Sequence, residues 1–274
     1  TAAQYNRQLE QDRHQHDQHK DHGENGNIHF SLNLMQARMK DSKIGKDDVS
    51  DTQILSIANN NGGMFNQLRL VPQEMTTTKI MFGAMAKVSK TSHIMMMVPY
   101  IEKEMKVRTY NAGGTAIGNF ETNTSGIGDV AISVVKTLEN SNAGHWMASA
   151  KVSFPTGSIK ETDHVLTPNG TWANNRLPYA MQLGTGTIDI TPGLKGRFDN
   201  GDWQVLTGLS FTTRLGRNDE NYSYGDEVHV SLGVSRSFDD IKAGLTLDVK
   251  SSSQIEGKDA LITAPIQSAQ TDFY

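Results

Sequence analysis

The sequence predicts an all-β protein, an antiparallel up-and-down transmembrane β-barrel of about ten strands, with twelve strands as the alternative. Three observations predict this fold. Apolar and polar residues alternate with a period of two through most of the chain after residue 27. Short turns and long loops succeed each other regularly, as in outer-membrane barrels. No apolar run approaches the roughly 18–20 residues that a membrane-spanning helix needs, which excludes a helical membrane protein.

The alternation is clearest where a strand begins, in the stretch NIHFSLNLM. One face carries Ile28, Phe30, Leu32 and Leu34, and the other carries His29, Ser31, Asn33 and Met35. The same pattern recurs in HWMASAKVSF, TGTIDITPGL, EVHVSLGVS and IKAGLTLDVK. A strand with two such faces needs an apolar environment on one side and water or a polar lumen on the other.

Nine strands follow from this alternation, near residues 28–39, 74–88, 92–107, 126–137, 145–156, 183–198, 201–215, 224–238 and 241–253. Short turns are expected at 89–92, 139–145, 198–203 and 238–241, and long polar loops at about 40–73, 109–125, 157–182, 216–224 and from 254 onward. An up-and-down barrel needs an even number of strands. We therefore expect a closing strand after the C-terminal residue of this sequence, because QSAQTDFY lacks the alternation, or a closing segment at 64–72.

The composition narrows the class of protein. The 274 residues carry a formal net charge of −4, so the near-neutral balance gives no reason to expect a nucleic-acid partner. The chain has no cysteine, which removes disulfides, thiolate catalysis and cysteine-based zinc sites. A start at Thr1 is typical of a mature exported protein. Aromatic residues near predicted strand ends are typical of an interfacial girdle, namely Tyr100, Trp146, Phe198, Trp203 and Phe238.

Residues 1–26 form the His-rich tail, which has too few apolar residues to build a core. It is either solvated or a short helix held against something larger. Imidazoles interleaved with aspartates are a weak candidate site for Cu(II), Zn(II) or Ni(II), contributed by His14, His16, His19 and His22. Their spacing does not match a closed zinc motif, and a solvated tail without metal is the alternative.

Methionines are concentrated on the predicted inner face of the first three strands. The phase of the alternation turns inward Met35, Met75, Met81, Met85, Met95 and Met97, with His29 and His93 nearby. Thioethers are soft ligands that suit Cu(I) or Ag(I), so copper is a candidate cofactor or cargo, although the sequence requires no cofactor. The alternative is that methionine, an adaptable apolar residue, only fills a narrow barrel.

Signals for catalysis are missing from the sequence, so we expect no enzyme. Neither GTGTIDI nor NAGGTAIG lies between a strand and a helix, and there is no G-x-S-x-G elbow. Charged residues of both signs are expected to line the lumen, namely Asp129, Lys151, Asp189, Arg214, Lys242 and Asp248.

Six blocks of sequence, in order along most of the chain, resemble one known family: VPQEMTTTKIMFGAM, IMMMVPYIEKEM, SGIGDVAISVV, VSFPTGSI, LPYAMQLGTGTIDITPGL and TTRLGRNDENYSYGDE. They are similar to the family of phenol meta-degradation pathway transporters. The resemblance implies an outer-membrane β-barrel of Gram-negative bacteria. It also implies methionine-rich second and third strands, which in some relatives accompany copper handling. The His-rich tail and the missing closing strand depart from the family pattern.

The sequence thus leaves two functional hypotheses. The first is a porin-like transporter in the bacterial outer membrane, with a periplasmic N-terminus, for a small solute such as a soft metal ion or a small aromatic molecule. The second is a non-conducting barrel that scaffolds an envelope complex, because ten strands enclose only a narrow lumen. The expected partners are outer-membrane lipid, the solute or metal ion and, for the second hypothesis, an envelope protein.

Overall fold

The computed structural model describes residues 28–40, 42–44, 47–58, 67–141, 144–238, 241–263 and 270–273. The tail at 1–26, with its four histidines, lies outside these residues. Strands dominate the described part of the chain, and the sheets are antiparallel throughout, as the alternation predicts. Among these residues no helix has both the length and the apolar character needed to cross a membrane.

The strands, in chain order, are β1 (Ile28–Lys40), β2 (Ser42–Ile44), β3 (Asp47–Val49), β4 (Leu70–Lys87), β5 (Ser92–Tyr110), β6 (Ala116–Ile127), β7 (Val130–Ser141), β8 (Gly144–Phe154), β9 (Thr162–Leu166), β10 (Trp172–Arg176), β11 (Ile188–Asn200), β12 (Trp203–Leu215), β13 (Tyr222–Ser223), β14 (Glu227–Phe238), β15 (Ile241–Ser252), β16 (Glu256–Gly257) and β17 (Gln270–Phe273). A short helix α1 spans Asp51–Leu55, and one 3-10 turn spans Tyr179–Met181.

The main sheet follows the order β1-β4-β5-β7-β8-β11-β12-β14-β15-β17, with β6 paired beside β7 on β5. All nine strands that the alternation predicts are present, and the short turns lie between them as expected. In the described residues, β1 pairs only with β4 and β17 only with β15. The sheet is therefore an open half-barrel with ten strands along its path.

The structure adds to or differs from the sequence expectations in three places. Much of the expected loop at 109–125 belongs to strand β6, which pairs with residues 100–110 of β5. The C-terminal residues 270–273 pair with β15 even though they lack apolar alternation, because backbone hydrogen bonds need no particular side chains. Residues 70–72 of the expected closing segment 64–72 instead open strand β4.

The sheet curls so that one face is concave. Lys79 on β4 and Lys250 on β15 stand seven places apart in the sheet order, yet their charges interact. The opposite, convex face carries the exposed apolar residues, and Phe30 and Leu245 are 82% and 81% exposed. The buried concave side chains include small polar residues such as Ser133 and Ser231. This arrangement inverts that of a soluble protein, which rarely exposes an apolar patch above a few hundred Å².

The apolar band on the convex face has aromatic residues at the short-turn end. Trp146 packs edge-on against Phe198, with ring centroids 5.4 Å apart. The Arg236 guanidinium stacks over Trp203 and Phe238 at the same end. Aromatic rings beside a cation are typical of the boundary between lipid tails and head groups.

The band stops partway along β5. Up to Tyr100 the convex residues are apolar, and beyond it they are Glu102, Glu104, Lys106 and Arg108. On the concave side of the same stretch, Met105 and Val107 are buried in an apolar cluster. The sheet therefore extends past the apolar band, and its far end has the water-facing surface of an ordinary soluble protein.

Helix α1 packs against this extension. Its N-cap residue Ser50 forms a capping box with Gln53, and Ile54 joins Val71 and Tyr110 in a small core. Desolvation of Asp51 alone would raise the pKa of its carboxyl. Hydrogen bonds from Tyr110 and Gln73 and the charge of Arg108 outweigh that effect and lower the pKa.

The long loops fold together at the same end. Residues 155–187, 216–226 and 253–263 meet in an apolar cluster that contains Tyr179, Tyr222, Ile255 and Ile262. Burial raises the pKa of Tyr222 to about 12. We call these three segments the loop cap.

Ion pairs cross between the segments of the loop cap. Arg176 Nη1 lies 3.2 Å from Asp259 Oδ2, and the Asp259 side chain is fully buried. Arg176 also donates to the Ile159 carbonyl and lies 4.0 Å from Glu220. On the surface, the hydrogen bond from Lys160 lowers the pKa of Glu220.

We expect Asp259→Leu to loosen the loop cap, because the buried Arg176 charge would lose its partner at a cost of about 3–5 kcal/mol. Limited proteolysis of the folded protein should then cut within 155–187. The double variant Asp259→Leu with Arg176→Met should recover most of the resistance, since no unpaired charge remains. Lys160→Met, on an exposed pair, is the control and should change little. Equal cleavage of the single and double variants would contradict this role of the pair.

Candidate functional site on the concave face

The methionine and histidine candidates come together at the short-turn end of the concave face. His29, Met85, Met95 and Ser133 are directly opposite one another across β1, β4, β5 and β7. Directly opposed residues of an antiparallel pair have Cβ atoms about 4.5–5.5 Å apart. We call His29, Met81, Met85, Met95 and Met97 the thioether patch.

Gly83 lies at the centre of the thioether patch. It separates Met81 from Met85 on β4 and is directly opposite Met97 on β5. On its other side it faces Ser31, and a Cβ at Gly83 would collide with the Ser31 hydroxyl. The absence of a side chain at Gly83 leaves room for the Ser31 side chain on the concave face.

The remaining methionine and histidine candidates lie around this patch. His93 is opposite Lys87 and next to Met95 on the same face, and Met35 is opposite Lys79. Met75 is farther away, packed against the apolar cluster beneath the loop cap. Across the described residues, no group of three or more histidines and carboxylates is positioned to hold a metal ion. The tail candidates His14, His16, His19 and His22 lie outside the described residues.

A charged cluster occupies the middle of the concave face. Arg214 Nη2 donates to Glu227 Oε1 at 2.8 Å, and Arg214 Nε lies 3.7 Å from Asp189 Oδ2. Lys250 pairs with Glu227 at 3.0 Å. Asp189 is 6% exposed and accepts a hydrogen bond from Thr187. Two sequence candidates, Asp189 and Arg214, thus lie next to each other on adjacent strands.

Asp129 has a different position, at the junction of β6 and β7. Its carboxylate accepts hydrogen bonds from the Gly157 amide at 2.9 Å and from the Thr185 amide at 2.7 Å. The Thr185 hydroxyl donates to it as well. Gly157 begins the segment 155–187 and Thr185 is near its end. One carboxylate therefore fastens both ends of that segment to the sheet.

The fastened segment covers the far half of the concave face. Lys103 on β5 donates to the carbonyls of Ala180 and Gln182, and Thr124 on β6 donates to the Met181 carbonyl at 2.9 Å. The two ends of the segment lie close together, since a Cβ on Gly157 would be 2.8 Å from the Gly184 Cα. Segment 155–187 therefore lies against strands β5 and β6 on the loop-cap side of the apolar band.

Sequence reasoning missed several concave residues that belong to this site. Lys79 shares the phase of Met81, and Glu227 and Lys250 share the phase of His229 and Asp248, so the alternation alone would have found them. His229 itself contacts Asp248 at 3.1 Å. Lys103 was hidden because the convex face of β5 also becomes charged beyond Tyr100, so polarity no longer distinguishes the two faces there.

Together these features define a class: an all-β protein whose antiparallel sheet has an apolar convex face and a charged, partly covered concave face. The model of the family described as "Putative MetA-pathway of phenol degradation" matches residues 61–260, and the chain belongs to this family. No curated protein matches the chain. The match includes the β4–β8 region, the fastened segment and the charged cluster.

Proposed function

We propose that the protein is a β-barrel of the bacterial outer membrane through which a small solute passes without chemical change. The division of the strand faces carries this proposal. A continuous apolar band faces outward, where lipid would cover it, and polar or charged residues face inward. Asp129 and Lys103 bind backbone groups, and Glu227 binds Arg214 and Lys250, so these inward charges hold the structure together. Nothing in their arrangement requires a catalytic step.

The orientation in the membrane follows from the same geometry. The short turns and the start of β1 are at one end, and the loop cap is at the other. Outer-membrane barrels have short periplasmic turns and long extracellular loops. We therefore place the N-terminus in the periplasm and the loop cap outside the cell.

The thioether patch indicates which solutes the barrel would carry. The cross-strand row of His29, Met85 and Met95 puts two thioethers and an imidazole side by side, which favours a soft monovalent metal such as Cu(I). A small aromatic molecule is the other solute that the thioether patch would accommodate, because methionine sulfur packs well against aromatic rings. The alternative function to transport is that of a closed, non-conducting barrel that binds an envelope protein.

Leu245→Lys tests the membrane assignment, because it puts a charge in the middle of the apolar band. We expect it to lower the stability of the protein folded in lipid vesicles by roughly 2–4 kcal/mol, measured by urea unfolding. Thr246→Lys, one residue away on the concave face, is the matched control and should change stability far less. Equal effects of the two substitutions would contradict a lipid-facing convex surface.

Conductance tests the transport proposal. The full chain in planar lipid bilayers should give discrete single-channel steps in potassium chloride. Deletion of residues 160–176, which removes the tip of the covering segment but keeps Asp129 and its partners, should enlarge those steps. A protein that folds in the bilayer and conducts in neither form would favour the scaffold.

Copper titration tests the thioether patch. Met85→Leu with Met95→Leu should weaken Cu(I) binding at least tenfold, measured by competition with a chromogenic Cu(I) chelator, because leucine keeps the volume and removes the sulfur. Met39→Leu with Met96→Leu is the control for methionines outside the patch. Deletion of residues 1–26 in both proteins removes the tail histidines as a competing source of binding. Unchanged affinity in the patch variant would remove the soft-metal candidate.

A further inference from the structure

Two lysines on the concave face have no ionic partner among the residues that the structure describes. Lys79 and Lys151 are half-buried, and each makes neither a hydrogen bond nor an ion pair within 4.0 Å to any residue in the described part of the chain. The strongest effect of any other charge on Lys79 is repulsion from Lys151. Two ammonium groups are therefore held near each other at the centre of the half-barrel.

The neighbouring carboxylates are already engaged. Asp129 accepts three hydrogen bonds from Gly157 and Thr185, and Glu227 is shared by Arg214 and Lys250. Asp189 accepts from Thr187 at 2.6 Å and lies beside Arg214. The charges of these three carboxylates attract Lys79 or Lys151 electrostatically, but none of the three forms a close ion pair with either lysine. Within the described ranges, no carboxylate is therefore in contact with the two lysines.

Arg214 provides a second, independent observation. Its side chain is 6% exposed, and its Nε and Nη1 atoms have no hydrogen-bond acceptor among the described residues. Buried donors without acceptors are rare in folded proteins and each is costly. The charge of Arg214 acts on Lys151, so these free donors are part of the same cluster.

We infer that Lys79, Lys151 and Arg214 form a binding site for the oxyanion of a small organic solute, such as a carboxylate, at the centre of the lumen. A carboxylate can bind two ammonium groups and accept from a guanidinium at once. Lys250 and Lys103 add positive charge nearby, since each interacts electrostatically with Lys79. This assignment rests on the proposed transport function and gives the passing solute a chemical class.

The site lies between the two other features of the concave face. The thioether patch is on the short-turn side of Lys79, and the segment 155–187 is on the loop-cap side. A solute with an apolar body and one carboxylate would meet charge at the centre and soft apolar groups beyond it. Free Cu(I), in contrast, would be repelled by the same lysines.

Ion selectivity in planar bilayers tests the site. In a potassium chloride gradient, we expect the wild-type channel to favour chloride, and Lys79→Gln with Lys151→Gln to lower the chloride-to-potassium permeability ratio about threefold or more. Acetate should reduce the chloride current of the wild type and not of the double variant. Lys79→Arg with Lys151→Arg keeps the charges and should restore both properties. Lys90→Gln, in an exposed short turn, is the matched control.

The outcomes separate the two proposals. A conducting channel whose permeability ratio and acetate block are unchanged in the glutamine variant overturns the anion site and leaves transport standing. A folded protein without conductance overturns transport. In that case, line broadening of the acetate methyl NMR signal in the presence of detergent-solubilised protein tests whether the anion site binds acetate. Broadening that is lost in the glutamine variant and kept in the arginine variant supports the site, and equal broadening in all three proteins overturns it.

Discussion

A β-strand places successive side chains on opposite faces, and this protein uses that constraint to meet two environments with one sheet. Isoleucine, leucine and valine cover the convex face, whereas serine, lysine and aspartate occupy the concave face. A shift of one residue in any strand pairing would exchange the two sets. The apolar band, the thioether patch and the charged cluster all depend on this register, because each is assembled from residues on several strands.

Asp129 links the sheet to its covering segment. The junction between β6 and β7 brings its carboxylate to the point where segment 155–187 both leaves and rejoins the sheet. Three of the sequence blocks that carry the family resemblance, SGIGDV, SFPTGS and LPYAMQLGTGT, meet at this point. Their shared feature is small residues. The backbones of Gly157 and Gly184 approach so closely that side chains would not fit between them.

The concave face combines a fixed part and an open part. Arg214, Glu227, Asp189 and Lys250 are tied together by hydrogen bonds and ion pairs, which hold their side chains in place. Lys79 and Lys151 stand beside this network, and in the described part of the chain neither has a close partner. A rigid frame with unpaired cations next to it is preorganised for a ligand, since the frame does not have to rearrange when the anion arrives. The proposed selectivity of the lumen follows from that difference.

The sequence by itself determined the all-β, antiparallel character of the fold, all nine of the predicted strands and the face on which most side chains lie. The reason is that the period of two is a local property that neighbouring residues reveal. It placed Met81, Met85, Met95 and Met97 on one face. It also assigned Asp189 and Arg214 to the lumen, without showing that they are neighbours. Only the tertiary structure decided which residues of different strands are neighbours, since register is set by pairing across the sheet. It also decided that 116–127 is a strand, that 270–273 joins β15 and that Asp129 is an anchor for a loop. Those outcomes depend on contacts between residues far apart in the chain, and no local pattern encodes them.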